Sequence, residues 1–357
     1  MSRQHARAAK IPFGFVVVAL VFAVVVAAFA ATRDDHDRGG TSATASPSGG
    51  RGPSVAPGAT PSSSPTTATT PAEPKGTLVI HGTGDVSLDP SYIPALGANG
   101  YGWAWRGLDG LFRRDDLTVI NLECPATDIS APVPKQFSFR CDPAALPVAR
   151  RYGVDVANQS NNHAYDQGPE GLVDSLRQIR AAGLKPVGAG VDQRSALRAA
   201  VFDVKGWTIA VVGIDEVLDP LNEVAGTNTP GTAAGHDFSL ALRAVRQAKA
   251  QADLVVVMIH WGVELDTQPR DYQVREAHQM ISAGADVIFG GHSHRLQQME
   301  TYHGRPIFYS LGNFVWPRFS AEGSTTAVAE VVVRPDGWME GRLLPVTIVS
   351  DGHPVLR

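Results

Sequence analysis

Two histidines, His292 and His294, close the apolar run "DVIFGG" with only Ser293 between them. A polar loop and a metal site would each account for two imidazoles at the mouth of a strand. Residues of matching chemistry recur in the same kind of place. Asp85 follows "VIHGTG", Glu123 follows "TVINL", Asn162 and His163 follow "VDVANQSN", His260 follows "VVVMI" and Asn313 follows "IFYSLG". Carboxylate, amide oxygen and imidazole, with no thiolate, suit Mn, Fe, Zn or Ni better than Ca or Mg alone. The six residues Asp85, Glu123, Asn162, His260, His292 and His294 are therefore expected to hold one or two divalent ions, Mn, Fe or Zn. Such an ion polarises a phosphoryl or carbonyl oxygen, or lowers the pKa of a bound water. No member of the set is specific alone; their joint placement after strands carries the reading.

Short β-branched runs alternate with helical patterns. Strands are expected at 77–85, 117–123, from 154, and at 207–216, 253–260 and 286–291. Helices are expected at 168–184, where Leu172, Leu176 and Ile179 share one face, and at 239–252 and 272–285. Continuous apolar strands between helices imply sheets covered on both faces. Ligands in open α/β sheets bind outside the carboxyl ends of parallel strands, which is where the set lies. The folded domain is expected to run from 76 to 354 without an internal break or repeat. Asp166 is expected to orient His163, as carboxylates behind functional histidines often do. Glu264, Arg140 and Asn313 are expected at the substrate-binding rim and floor.

The set and its order resemble the CapA/PgsA-type family of bacterial capsule and poly-γ-glutamate biosynthesis proteins, within the calcineurin-like metallophosphatase superfamily. The stretches that carry the resemblance are "GDVSLDP" (84–90), "NLECPATD" (121–128), "NQSNNHAYDQG" (158–168), "HWGVE" (260–264), "GADVIFGGHSHRLQ" (284–297) and "IFYSLGNFVW" (307–316). The resemblance implies an α/β fold, a four-layer αββα sandwich with two mixed sheets between helices. It implies that Asp85 is the first-strand carboxylate, Glu123 the bridging acid and Asn162 the amide ligand. His163 would be the acid that protonates a leaving group, and His260, His292 and His294 further ligands. Two positions depart from the superfamily pattern: Ser87 stands where a first-strand histidine is usual, and Asn161 where a glycine precedes Asn-His.

The rest of the chain sets the expected context. Net charge is −4 over 357 residues, which argues against a nucleic-acid partner. Residues 1–10 carry Arg3, Arg7 and Lys10 and no acid, and 11–31 carry no charge. An apolar run of that length reaches about 30 Å as a helix, the hydrocarbon thickness. A single-pass membrane anchor over 11–31 is expected, with 1–10 cytoplasmic and the folded domain outside; a cleaved signal peptide ending near "AFA" is the rival. Residues 32–75, rich in Ser, Thr, Pro and Gly, read as a disordered linker. In an exported domain Cys124 and Cys141 are expected to pair. Two functions stand: a metal-dependent hydrolase or transferase acting on an anionic envelope polymer, or a non-catalytic polymer-binding component of a membrane synthase.

Overall fold

The computed structural model describes residues 73–217, 224–233 and 237–357. All of them lie in the second of the chain's two units, 68–357; the first, 1–67, lies outside the described residues. The apolar runs form strands: β1 (Leu78–Val86), β2 (Leu117–Leu122), β3 (Val156–Asn158), β4 (Lys185–Val187), β5 (Ala189–Gly190), β6 (Ala200–Val204), β7 (Trp207–Asp215) and β8 (Gly231–Thr232). The second half adds β9 (Leu254–His260), β10 (Val287–Gly291), β11 (Met299–Tyr302), β12 (Arg305–Phe308), β13 (Asn313–Val315), β14 (Thr325–Val333), β15 (Met339–Ser350) and β16 (His353–Leu356).

Two sheets carry the fold. The first has the order β16-β15-β14-β1-β2-β3-β4, with β13 also paired to β1. Strands β13, β1, β2, β3 and β4 run parallel, while β14 to β16 form antiparallel hairpins. The second sheet has the order β11-β12-β10-β9-β7-β6, parallel from β12 to β7 and antiparallel at both edges. The alternation of side chains along each strand sends one apolar set inward and the other outward. Ile80, Val119, Val211, Val256, Met258 and Phe289 meet between the sheets. The outward set of the first sheet packs on Leu96, Trp105, Phe112, Leu146 and Ile179. That of the second packs on Val245, Ala277 and Met280 of the helices Phe238–Lys249 and Asp271–Ala283. Helices therefore cover the outer faces of two stacked sheets. The helix Gly168–Ala181 buries Leu172, Leu176 and Ile179, the face its spacing indicates. The last strand runs to Leu356, past the expected limit at 354.

The membrane part of the sequence reading is withdrawn. Among the described residues no helix is long and apolar enough to cross a membrane. The longest, Gly168–Ala181 with 14 residues, spans only about 21 Å at 1.5 Å per residue and has a polar face. Residues 11–31, the tail 1–10 and the linker up to residue 72 lie outside the described residues. The single-pass topology and membrane location that rested on 11–31 are withdrawn with the helix.

Cys124 and Cys141 form a disulfide with Cα atoms 5.6 Å apart, 17 residues apart in sequence. Both are fully buried. Closing a loop of this size contributes about 3 kcal/mol in the chain-entropy model. Replacing both cysteines by serine is expected to lower the urea midpoint accordingly; an unchanged midpoint would show that the bond adds nothing.

Candidate metal centre

The parallel strands bring one row of polar residues into register. Asn313 of β13, Asp85 of β1, Asn121 of β2 and Asn158 of β3 are successive cross-strand partners. In the facing sheet His260 ends β9 opposite Gly291 of β10. The two rows approach so closely that a Cβ on Gly291 would stand 2.5 Å from Asp85 Oδ1. The chain after Gly291 then turns sharply. His292 and His294 have φ of 90° and 52°, a left-handed conformation that side chains other than glycine rarely adopt and that gathers at functional sites. The turn points the His292 backbone N–H at both oxygens of Asp85, at 3.3 and 3.2 Å.

Asp85, Glu123 and His260 are wholly buried, and His292 nearly so. His294 Nδ1 lies 3.1 Å from Asp85 Oδ2, without the angle of a hydrogen bond, and its Nε2 lies 4.0 Å from Glu123 Oε1. His260 Nε2 lies 3.4 Å from Glu123 Oε1 and 2.8 Å from Asn162 Oδ1. Two sets of three could each present ligand atoms within 4.8 Å of one another: Glu123–His260–His292 and Asp85–Glu123–His294. Glu123 belongs to both. Its two carboxylate oxygens and His292 Nδ1 are buried without a hydrogen-bond partner. An unpaired buried carboxylate is costly, and a divalent cation is the group that such oxygens and imidazoles fit.

The charges are strongly perturbed. Burial, then the nearby Asp85, pushes Glu123 up to about 8. Burial pulls His294 down, but Glu123 and Asp85 outweigh it and raise the ring to about 9. Burial would raise Asp85, but His294, His260 and Asn121 hold it below its ordinary value. Burial drives His260 down to about 3 against the pull of Asp85, and lowers His292 well below the usual histidine range.

His163 forms the other end of the site. Its Nδ1 lies 2.8 Å from Asp166 Oδ2, and Asp166 is fully buried. Asp166 also accepts from Lys135 Nζ at 2.8 Å and from the Phe139 backbone N–H at 2.7 Å. Lys135 donates to the carbonyl of Asn162 as well. Both Lys135 and Phe139 belong to the loop that the disulfide closes. Aromatic rings join the two ends: Phe139 lies 4.4 Å from the His163 ring, Tyr92 is 4.6 Å from Phe139 and 5.6 Å from Trp316, and Trp316 is 4.8 Å from His294.

The structure thus brings Asp85, Glu123, Asn162, His260, His292 and His294 together, with His163 and Asp166 alongside. Glu264 is exposed, and its charge is felt by Glu123 and His294. Asn313 is buried beside Asp85, with its Nδ2 given to the Gly323 carbonyl at 3.0 Å. Arg140 is not brought into the cluster: it is exposed, its guanidinium turns to the Asp128 carbonyl, and its backbone N–H is given to Asp89. Sequence reasoning missed Lys135, which sits in an aperiodic Pro-rich stretch. It also missed Asn121, whose signal was a lone amide in the run "LTVINL", where Thr118 is the one other polar residue. Asn161, in the place of the usual glycine, uses its side chain to join the Leu122 carbonyl at 3.0 Å to the His163 backbone N–H at 3.2 Å.

Residues 79–318 match the family of the bacterial capsule synthesis protein PGA_cap. The chain is 33% identical over 244 residues to the PGA biosynthesis protein CapA of Bacillus subtilis, covering 68% of this chain and 64% of that protein. The chain therefore spans less than two thirds of that relative's length. It is 29% identical over 300 residues to the capsule biosynthesis protein CapA of Bacillus anthracis, covering 78% of this chain and 72% of that one. Among solved structures a phosphatase from Mycoplasma pneumoniae superimposes with a TM-score of 0.52 at 14% identity, over 76% of this chain and 94% of that one. This likeness is one of fold.

Two outcomes are expected of the cluster. Glu123 and His294, raised to about 8 and about 9, hold protons at neutral pH that a cation must displace. Apparent Mn2+ affinity should therefore rise from about pH 6 to about pH 9, by up to about tenfold per pH unit for each proton displaced. A flat profile in competition titrations would show that these groups do not meet the metal. Replacing both His292 and His294 by alanine should abolish metal uptake, read by elemental analysis of the folded protein.

Proposed function

The chain belongs to the PGA_cap family of bacterial capsule synthesis proteins, and from that membership we propose that it acts in the biosynthesis of a capsule or cell-envelope polymer as a metal-dependent hydrolase or transferase. The observation that carries the metal is Glu123, a buried carboxylate with both oxygens unpartnered and shared by two donor sets. Asp85, Glu123, His260, His292 and His294, with Asn162, would hold Mn, Fe or Zn. The two sets leave room for a second ion, although Ser87 adds no further imidazole to the Asp85–Glu123–His294 set. When bound, such an ion polarises a phosphoryl or carbonyl oxygen and lowers the pKa of water.

The chain's own residues supply the proton. Asp166 holds His163 Nδ1–H, so a protonated ring carries its second proton on Nε2, the nitrogen free to meet the leaving atom, which is the oxygen of a phosphoester or the nitrogen of a γ-glutamyl amide. The leaving oxygen or amine nitrogen takes that proton as its bond to phosphorus or carbon breaks, and the ring regains one from water. Lys135 and the Phe139 N–H neutralise and fix Asp166, which keeps the imidazole in one orientation. The substrate proposed from the family is an anionic envelope polymer of the poly-γ-glutamate type, with Glu264 at the rim. A second reading, a polymer-binding assembly component without turnover, draws support from Ser87, which is buried and whose Oγ is engaged by the Asp89 backbone N–H at 3.4 Å.

The test is turnover of a chromogenic phosphodiester and of a γ-glutamyl polymer by the Mn2+-loaded chain. His163→Asn is expected to lower kcat by roughly 10²- to 10⁴-fold with metal content unchanged. Full activity in that variant would remove His163 as the acid. Metal binding without turnover of either substrate would favour the assembly reading.

A further inference from the structure

Asn121 is a single amide that touches both sheets. It is buried, 1% exposed, and stands in the row between Asp85 and Asn158. Its Oδ1 accepts from Asn158 Nδ2 at 2.9 Å and from Asn161 Nδ2 at 3.2 Å. Its Nδ2 donates to Asp85 Oδ1 at 2.8 Å and lies 3.0 Å from His260 Nδ1. The orientation of the amide is dictated by these neighbours. Asp85 can only accept, and Asn158 has its own oxygen committed to the Ser160 backbone N–H at 3.2 Å. A primary amide offers two hydrogens and two lone pairs, and here all four are used. Asn162 Oδ1 accepts from His260 Nε2 at 2.8 Å, so the ring's proton sits on Nε2 and Nδ1 accepts the second hydrogen, which sets the rotation of the ring.

We propose that Asn121 is a positioning residue of the metal centre. It clamps the first-strand carboxylate of one sheet and the terminal histidine of the other in a single geometry, while Asn158 and Asn161 hold the clamp itself. Glu123 lies two residues further along the same chain, so the anchor at Asn121 also fixes where the shared carboxylate emerges. No hydrophobic residue of the same size can do this, because Asp85 and His260 would lose a donor inside an apolar interface. The inference rests on the metal-site reading above.

The experiment uses the full chain and two probe ions, Mn2+ for affinity and Co2+ for its visible absorption, which reports ligand arrangement. Asn121→Leu, close in volume, is expected to weaken Mn2+ binding roughly tenfold to a hundredfold and to shift the Co2+ bands, with circular dichroism unchanged. Asn158→Ser, which removes only a support of the clamp, is expected to shift both in the same direction by less. If Asn121→Leu does not fold, Asn158→Ser decides the matter. A wild type that binds neither ion would sink the metal-site reading. A wild type that binds both, with variants that match its affinity and its Co2+ spectrum, would overturn the role of Asn121 alone.

Discussion

Two carboxylates, Asp85 and Glu123, are buried completely at the edge of an interface between two apolar sheets, and the local design answers the cost of placing them there. An unpaired buried charge is among the least tolerable features of a folded protein. Asp85 is compensated by Asn121, the His292 backbone N–H and the two flanking histidines. Glu123 is not compensated by hydrogen bonds at all, and burial with Asp85 beside it raises its hold on a proton. The fold thus stabilises one acid with protein groups and leaves the other to a proton or a cation.

The geometry needed for this explains features that otherwise look unrelated. Gly291 lets the second sheet come within reach of Asp85. On the other side of Asp85, β13 lies so close that a Cβ on Gly84 would stand 1.9 Å from the Gly312 carbonyl oxygen. The left-handed turns at His292 and His294 then send successive imidazoles to the two sides of Glu123. The turn leaves the end of β10, which is paired with β9 from Val287 to Gly291.

Much of this was legible in the sequence because topology does the gathering. Parallel strands separated by helices put their carboxyl ends on one side, so Asp85, Glu123, His260 and His292 could be grouped without knowing which strands were neighbours. The helices were legible from their apolar spacing, and their ends agree with the structure to within a few residues. What depended on loops was not. Lys135 reaches Asp166 across 31 residues of chain, and Arg140, five residues on in the same loop, turns away; nothing in their spacing separates them. The edge strand β6, a short run with no fully buried residue, was not read as a strand although only Asp203 in it is polar. The apolar run 11–31 was read for length and charge alone, and the described helices contain no membrane span.

The two ends of the site are held by different means. The ligand cluster hangs on sheet register, whereas His163 depends on Asp166, and Asp166 on a loop fastened by Cys124 and Cys141. Both sulfurs are wholly enclosed, and thiol–disulfide exchange requires an attacking thiolate to reach them. A chain that folds before the bond forms has its thiols out of reach of an oxidant, and one that folds with the bond keeps it out of reach of a reductant. The loop is in this sense a record of the redox conditions under which the chain was made, and it writes that record onto the orientation of His163 and, through Cys124, onto the neighbouring Glu123.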